Sequence, residues 1–404
     1  MPNQNLQDSL LNNSFDIVII GGGMVGASLA AGFAQQNKSV LVIERARPDN
    51  DWLSQPPLRV SAVNRYSETW LQSVGCWNDI DKADKCQFNR LATWEKGTDK
   101  VEFSAEELQE SHLGHLIRNE ALQLACYSAL EKNDSDKVSF MYGGQIDQVQ
   151  NNTNNVIITG RTKDDKAFTV NTLLLVGADG ANSKVRQLAK IGVTGWDYQQ
   201  ACFSITIKTN FATQDITWQE FQPSGPKAFL PLNDGFASLI WYDSKSTISA
   251  LKGLSDQALK QAIIETFPEL PGDFDIIQHA SFPLTRRQAN QYNNGRIVLV
   301  GDAAHTINPL AGQGVNLGYK DNATLLSLMQ DSDLKDFDRL VKSLKRYTIK
   351  RKADSLLMSG VMDGFYHLFS NDKAPLKKAR GVMLSLANHF SFAKKSVIKK
   401  ALGF

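Results

Sequence analysis

The sequence predicts a multidomain α/β protein of the α+β kind. A nucleotide-binding domain is assembled from separated segments, a mixed β-sheet domain is inserted in it, and helices close the chain. Three observations predict this. A β-α-β unit near the start carries G-x-G-x-x-G at residues 21–26. Two later apolar runs each end in a Gly- and Asp-rich bend, "GADGANSKVR" at 177–186 and "GDAAHTINPLAGQGVNLG" at 301–318. Between them, from about 200 to 282, short runs of aromatic and β-branched residues replace helical periodicity.

The elements follow in order. Residues 1–14 are polar and read as a loose start. "FDIVII" reads as a buried strand, "GGGMVGASLAAGFAQQ" as a turn entering a helix, and "SVLVIER" as a second strand. "PDNDWLSQPP" is a loop, since its prolines exclude regular structure. "ETWLQSVGCW" and "NEALQLACYSALEK" read as helices, and "VIITGR" and "AFTV" as strands. "TLLLVGADGANSKVRQLA" reads as strand, turn and helix. "ACFSITIKT", "ITWQEFQ", "AFLPL" and "ASLIWYD" are strands, and "SDQALKQAIIETF" is a helix among them. "RIVLVGDAAH" returns to the strand-then-bend style, and the chain is helical after Asn316.

The bends carry the chemistry. In the first, Gly21 permits a tight turn, Gly23 lets a pyrophosphate approach the backbone, and Gly26 packs helix on strand. The unpaired N–H groups of the helix start favour the anion. Glu44 ends the second strand, eighteen residues past Gly26, where a carboxylate can accept from ribose hydroxyls. It disfavours a 2′-phosphate, so this Rossmann-like unit suits FAD or NAD rather than NADP. Two further Gly/Asp bends, with Asp179 and Asp302, favour FAD, because a long cofactor needs neighbours along its whole length.

In order and spacing, "GGGMVGASLA", "GADGANSKVR" and "GDAAHTINPLAGQGVNLG" resemble the three signatures of the flavoprotein aromatic hydroxylases, the group A FAD monooxygenases of the para-hydroxybenzoate hydroxylase fold. The long third motif, with "SGPKAFLPL" and "LGHLIRNEALQ", is similar to the ubiquinone-biosynthesis hydroxylases among them. The resemblance implies roles. Gly21, Gly23, Gly26, Glu44 and the adjacent Arg45 hold the adenosine half of FAD. Arg59 and Arg118 contact polar groups of FAD, and Asp179 serves both FAD and the nicotinamide donor. Asp302 bonds the ribityl or pyrophosphate region, while Gly312, Gly314, Val315 and Asn316 lie against the isoalloxazine. A helix starting near Val315 directs its positive end at the reduced ring. His305 is a candidate for placing FAD, for packing or for catalysis, and Pro309 for facing the substrate ring. Phe229, Leu230, Pro231, Leu239 and Trp241 are candidate apolar walls of the substrate pocket, with plain core packing as the alternative.

The implied reaction is hydroxylation of a polyprenylated benzoquinol. NAD(P)H is a transient donor, and O2 is the co-substrate, activated as a flavin C4a-hydroperoxide. Another ring position, another phenol, or a non-catalytic FAD-bound scaffold are the alternatives. A halogenase is disfavoured by the absence of a W-x-W-x-I stretch. The expected division is 15–75, 104–185 and 282–345 for the discontinuous FAD-binding domain. Residues 76–103 and 186–281 form the β-sheet substrate domain, and 346–404 a helical C-terminal region.

Composition narrows the remaining classes. Hydrophobic residues make up 42% and charged residues 21% of 404, which suits large cores and not disorder. A net charge of +2 implies no attraction to nucleic acid. Residues 373–404 nevertheless carry +8, with seven Lys, one Arg and no acid. There Leu376, Ala379, Val382, Met383, Leu386, Ala387 and Phe390 follow helical spacing, as a helix lying on an anionic membrane or an accessory protein would. The alternative is a solvated helix packed on its own domain. The expected location is cytoplasmic, with peripheral contact at the inner face of the membrane; a homo-oligomer is compatible. The four cysteines form no C-x-x-C pair, and His112 and His115 complete no recognised ligand motif, so no metal is expected.

Overall fold

The structure is a computed structural model and describes residues 12–132, 136–268, 270–307, 314–330 and 332–369. Pro309, Gly312 and the basic stretch 376–390 lie outside these residues.

A first sheet has eight strands. Its main path runs β17 (Asn293–Asn294), β18 (Ile297–Leu299), β11 (Ala167–Gly177), β1 (Ser14–Ile20), β2 (Val40–Glu44), β8 (Val138–Tyr142). The five strands from β18 to β8 are mutually parallel. Their residues form near-continuous apolar runs, as strands covered on both faces must. An antiparallel meander, β9 (Gln145–Asn151) and β10 (Val156–Arg161), joins the first half of β11.

"AFTV" and "TLLLVG", two readings in the sequence, are one strand. β11 pairs with β10 along 167–172 and then continues beside β1 to Gly177. The polar Asn171-Thr172 step inside it is accommodated by side-chain bonds. Thr172 Oγ1 donates to the carbonyls of Asp16 (3.1 Å) or Leu174 (3.0 Å).

Helices α1 (Met24–Gln35), α2 (Arg65–Ser73), α3 (Asn119–Lys132), α7 (Gly314–Gln330) and the 33-residue α8 (Phe337–Phe369) pack around this sheet. α1 is rich in Ala and Gly because α7 approaches it closely. A Cβ on Gly32 would come within 2.8 Å of Leu326. Short α4 (Lys184–Leu188) follows the second bend. Arg296, fully buried, ties distant segments together through four carbonyls, those of Thr153, Leu173, Leu334 and Lys335.

A second eight-stranded sheet runs β19 (His305–Thr306), β16 (Phe274–Ala289), β12 (Val193–Thr209), β15 (Phe236–Ser244), β14 (Lys227–Pro231), β13 (Ile216–Phe221), β5 (Arg90–Glu95), β6 (Val101–Ser104). One face is covered by α5 (Lys245–Lys252) and α6 (Asp256–Thr266). Three strands, β3 (Val60–Asn64), β7 (Gly114–Arg118) and β4 (Lys85–Phe88), form a third sheet that shares an apolar cluster with the second.

Candidate active site

The three bends meet because their strands are neighbours. β1, β11 and β18 are adjacent and parallel, and the register places Ile20 opposite Gly177 and Gly177 opposite Leu299. Their carboxyl ends therefore stand level, and the loops after them share one edge of the sheet. This is where an open α/β sheet binds ligands.

Two glycines of the first bend are required by the protein itself. Gly21 has φ +101°, and a Cβ there would sit 2.4 Å from the Ala178 carbonyl oxygen. At Gly26 a Cβ would lie 1.9 Å from the Gly21 carbonyl oxygen. Gly23 differs. It precedes α1 with an ordinary φ of −67°, and a Cβ would meet nothing within 4 Å among the described residues. Helix α1 has no side-chain cap and no acid in its first turn, so its leading N–H groups face this open space. Glu44 bends over the same loop. Its Oε2 accepts from the Gly22 N–H, and its Oε1 accepts from the Arg45 N–H at 2.7 Å. Arg45 itself is exposed.

In the second bend Asp179 Oδ2 accepts the N–H groups of Lys184 (2.7 Å) and Val185 (3.0 Å). Its Oδ1 is buried and has no partner among the described residues. Arg186 fastens this bend to the third, donating to the carbonyls of Ala181 (2.8 Å) and Ala303 (2.9 Å). In the sequence Arg186 is marked only by its place in the second bend's motif. Its bridging role carries no local signal, because one partner is 117 residues away.

Solvent reaches Asp302, yet the surrounding recess holds its carboxyl above the usual carboxylate range. Enclosure is the main cause; the charges of His305 and Arg59 act in the opposite sense. Arg59 is exposed and its guanidinium lies 5.0 Å from the centre of the Phe282 ring. Arg118 is buried, and its guanidinium is bonded to the carbonyls of Leu53 (2.8 Å) and Gln55, so it fixes the preceding loop.

Helix α7 starts at Gly314, with Val315 half-buried against the main core. Asn316 is turned to β3. Its Nδ2 donates to Ala62 (2.8 Å) and its Oδ1 accepts the Asn64 N–H (3.2 Å). His305 is buried, with Nε2 2.6 Å from Asp321 Oδ2. Since an ionised carboxylate only accepts, Nε2 carries the proton.

These residues suit a long anionic cofactor. The orphaned Asp179 oxygen, the open space over Gly23 and the uncapped α1 start are all explained by a group lying across the sheet edge.

The proposed apolar walls divide by strand alternation. Phe229 and Trp241 are buried on the face of the second sheet covered by α5 and α6. There Phe229 stacks on Trp218 at 5.7 Å, and Trp241 meets Phe267 edge-on at 5.5 Å. Leu239 lies in the same core, and Pro231 shares its parity. The opposite face carries Leu230, Ile240 and Phe282. Ser204 and Thr206 on that face donate to the carbonyls of Leu58 (3.1 Å) and Pro57 (2.6 Å), immediately before Arg59. Leu230, Ile240 and Phe282 are half-buried, and Leu230 and Ile240 pack at the margins of two smaller apolar clusters. Ile240 and Phe282 were not singled out from the sequence, which shows alternation but not which face is covered.

Glu68, His112 and His115 converge in a buried cluster that could ligate a cation. Arg65 Nη1 already stands 3.0 Å from both Glu68 Oε2 and His112 Nε2, and this guanidinium supplies the positive charge a metal would. Burial alone would raise the Glu68 pKa. Hydrogen bonds from His112 and His115, the charge of His112 and the bond from Arg65 outweigh it, holding the carboxyl far below its usual range.

Comparisons with known proteins agree with this geometry. Residues 14–350 match the FAD binding domain family. The chain is 40% identical to the 3-demethoxyubiquinol 3-hydroxylase of Escherichia coli (strain K12), with 98% of this chain and 100% of that protein covered. It is 28% identical to the mitochondrial ubiquinone biosynthesis monooxygenase COQ6 of Rattus norvegicus, covering 96% and 91%. Among solved structures it resembles p-nitrophenol 4-monooxygenase PnpA of Pseudomonas putida DLL-E4 (TM-score 0.79, 16% identity, 97% of each chain), a likeness of fold. The sheet edge and the matched span lead to one conclusion: the chain belongs to the FAD binding domain family and is an FAD-dependent monooxygenase.

Proposed function

We propose that this monooxygenase hydroxylates the ring of a polyprenylated benzoquinol in ubiquinone biosynthesis, with NAD(P)H as electron donor and O2 as co-substrate. The observation that carries the reading is the full-length similarity to the 3-demethoxyubiquinol 3-hydroxylase, over a chain whose three bends share one sheet edge.

In this reading the α1 start and Gly23 receive the pyrophosphate, and Glu44 turns from the Gly22 N–H to the ribose. Asp179 and Asp302 accept from the polar middle of the cofactor, and Arg59 closes its side. Bound FAD, once reduced by the nicotinamide, supplies the oxygen activation. The protein supplies position and dryness. Leu230, Ile240 and Phe282 present an apolar surface to the quinol ring and keep water from it. Asn316 sets the α7 start by clamping it to β3, which places the helix N-terminus where the isoalloxazine would lie. Pro309 and Gly312 complete the reading from outside the described residues.

The prenyl tail places the substrate at a bilayer, so the enzyme works at the membrane surface. No described helix is long and apolar enough to cross a membrane. Helix α8 does expose Ile349, Leu356 and Leu357, ahead of the basic stretch 373–404, which supports peripheral contact.

The test is NAD(P)H oxidation by the purified yellow protein under 18O2, with and without a demethoxyubiquinol. Stimulated oxidation with one labelled oxygen in the product is expected. Cofactor-bound protein showing no stimulation and no label would refute the reading.

A further inference from the structure

Behind the third bend lies a buried charged group that bonds none of the cofactor-binding candidates except His305. Asp321 on α7 is fully buried and makes three bonds. Its Oδ2 accepts from the Gly301 N–H at 2.8 Å and from His305 Nε2 at 2.6 Å, and its Oδ1 accepts from Arg351 Nε on α8 at 2.7 Å. Burial alone would raise the Asp321 pKa, but His305 and Arg351 outweigh it and hold the carboxyl below its usual range. Arg351 is almost wholly buried and binds Asp354 at 2.6 Å as well.

Gly301 and His305 bracket Asp302. The turn between them begins at Gly301 with φ +58°, and Thr306 Oγ1 returns to the Asp302 carbonyl at 3.1 Å. One carboxylate thus holds both ends of the segment that displays Asp302. His305 Nδ1 is buried with no partner among the described residues. An apolar ring would fill that space without an orphaned nitrogen, so packing alone is a poor reason for histidine here.

We infer that Asp321, His305 and Arg351 act as one positioning unit that fixes Asp302 toward FAD, so that cofactor affinity depends on two side chains, Asp321 and Arg351, outside the cofactor site. This rests on the assignment of Asp302 to the cofactor. His305 is a positioning residue acting through the bend, not the base that removes a substrate proton.

The experiment measures FAD affinity by reconstitution, with the visible spectrum of the bound flavin. Asp321→Asn and Arg351→Lys should each weaken FAD about tenfold or more, the scale of one charge-assisted hydrogen bond, and shift the flavin bands. His305→Gln, whose amide can still donate to Asp321, should recover most of the affinity that His305→Ala loses. Arg296→Lys, equally buried but bonded only to carbonyls elsewhere, should lower the unfolding temperature and leave affinity and spectrum unchanged. Wild-type affinity and bands in folded Asp321→Asn or Arg351→Lys would overturn the inference, as would equal losses in the two His305 variants. Should Asp321→Asn not fold, Arg351→Lys and the His305 pair decide alone. Asp302→Ala in the same assay separates the two readings. If it too binds FAD normally, the assignment of Asp302 fails; if it binds weakly while Asp321→Asn binds normally, the positioning unit alone fails.

Discussion

Gly23 and Gly26 stand three residues apart and answer to different demands. A methyl group at Gly26 collides with the Gly21 carbonyl, whereas one at Gly23 enters open space. Gly26→Ala should therefore lose about 1–3 kcal/mol of stability or more by overpacking. Gly23→Ala should change stability of the cofactor-free chain by less than ~0.5 kcal/mol, as surface substitutions do, while weakening FAD binding at least about tenfold. Thermal unfolding and flavin titration of both variants check the contrast. Glu68 yields a pH prediction. Its folded pKa is depressed, so its stabilisation is present above the ordinary value of 4.5 and is lost as pH falls below it. Glu68→Gln should flatten the acid limb of a stability profile below about pH 5. An unchanged acid limb would mean that the pairing with His112 contributes nothing. The backbone demands at Gly21 and Gly26 were legible in the sequence because their reasons are local. Arg186, Asp321 and Arg351 were not, since their partners lie far along the chain and are, for Arg186, carbonyl oxygens that any residue offers.

At the scale of elements, strand alternation assigns each apolar side chain to a face. Trp241 and Ile240 are consecutive in β15 and point to opposite sides. Trp241→Ala should cost roughly 3–5 kcal/mol of stability, as large aromatic truncations in cores do. Ile240→Ala should cost less and instead raise KM for the quinol, with FAD affinity unchanged. Chemical denaturation and steady-state kinetics distinguish the pair. Positions of strands and helices could be read from period and turn residues; "NEALQLACYSALEK" coincides with α3. The aromatic content of "AFLPL" and "ASLIWYD" drew attention to Phe229 and Trp241, yet aromatics fill cores as readily as pockets. Only the cover supplied by α5 and α6 decides between the two faces, and that cover is a tertiary fact.

Across the whole molecule, the edge where the three bends meet is built from β1, β11 and β18, which neighbour one another in chain order, with five strands of the second sheet, β12 to β16, emitted between the last two. Three apolar runs ending in Gly/Asp bends made that arrangement predictable, because parallel strands in one sheet present their carboxyl ends together. The arrangement has a consequence during biosynthesis. About 120 residues separate Gly177 from Ile297, so a ribosome needs on the order of ten seconds to deliver β18 after β11 has emerged. Throughout that interval the end of β11, Leu175–Gly177, has an open hydrogen-bonding edge where β18 will later dock. The nascent chain is then most exposed to mispairing, and the three bends cannot come together until roughly three-quarters of the polypeptide has left the exit tunnel.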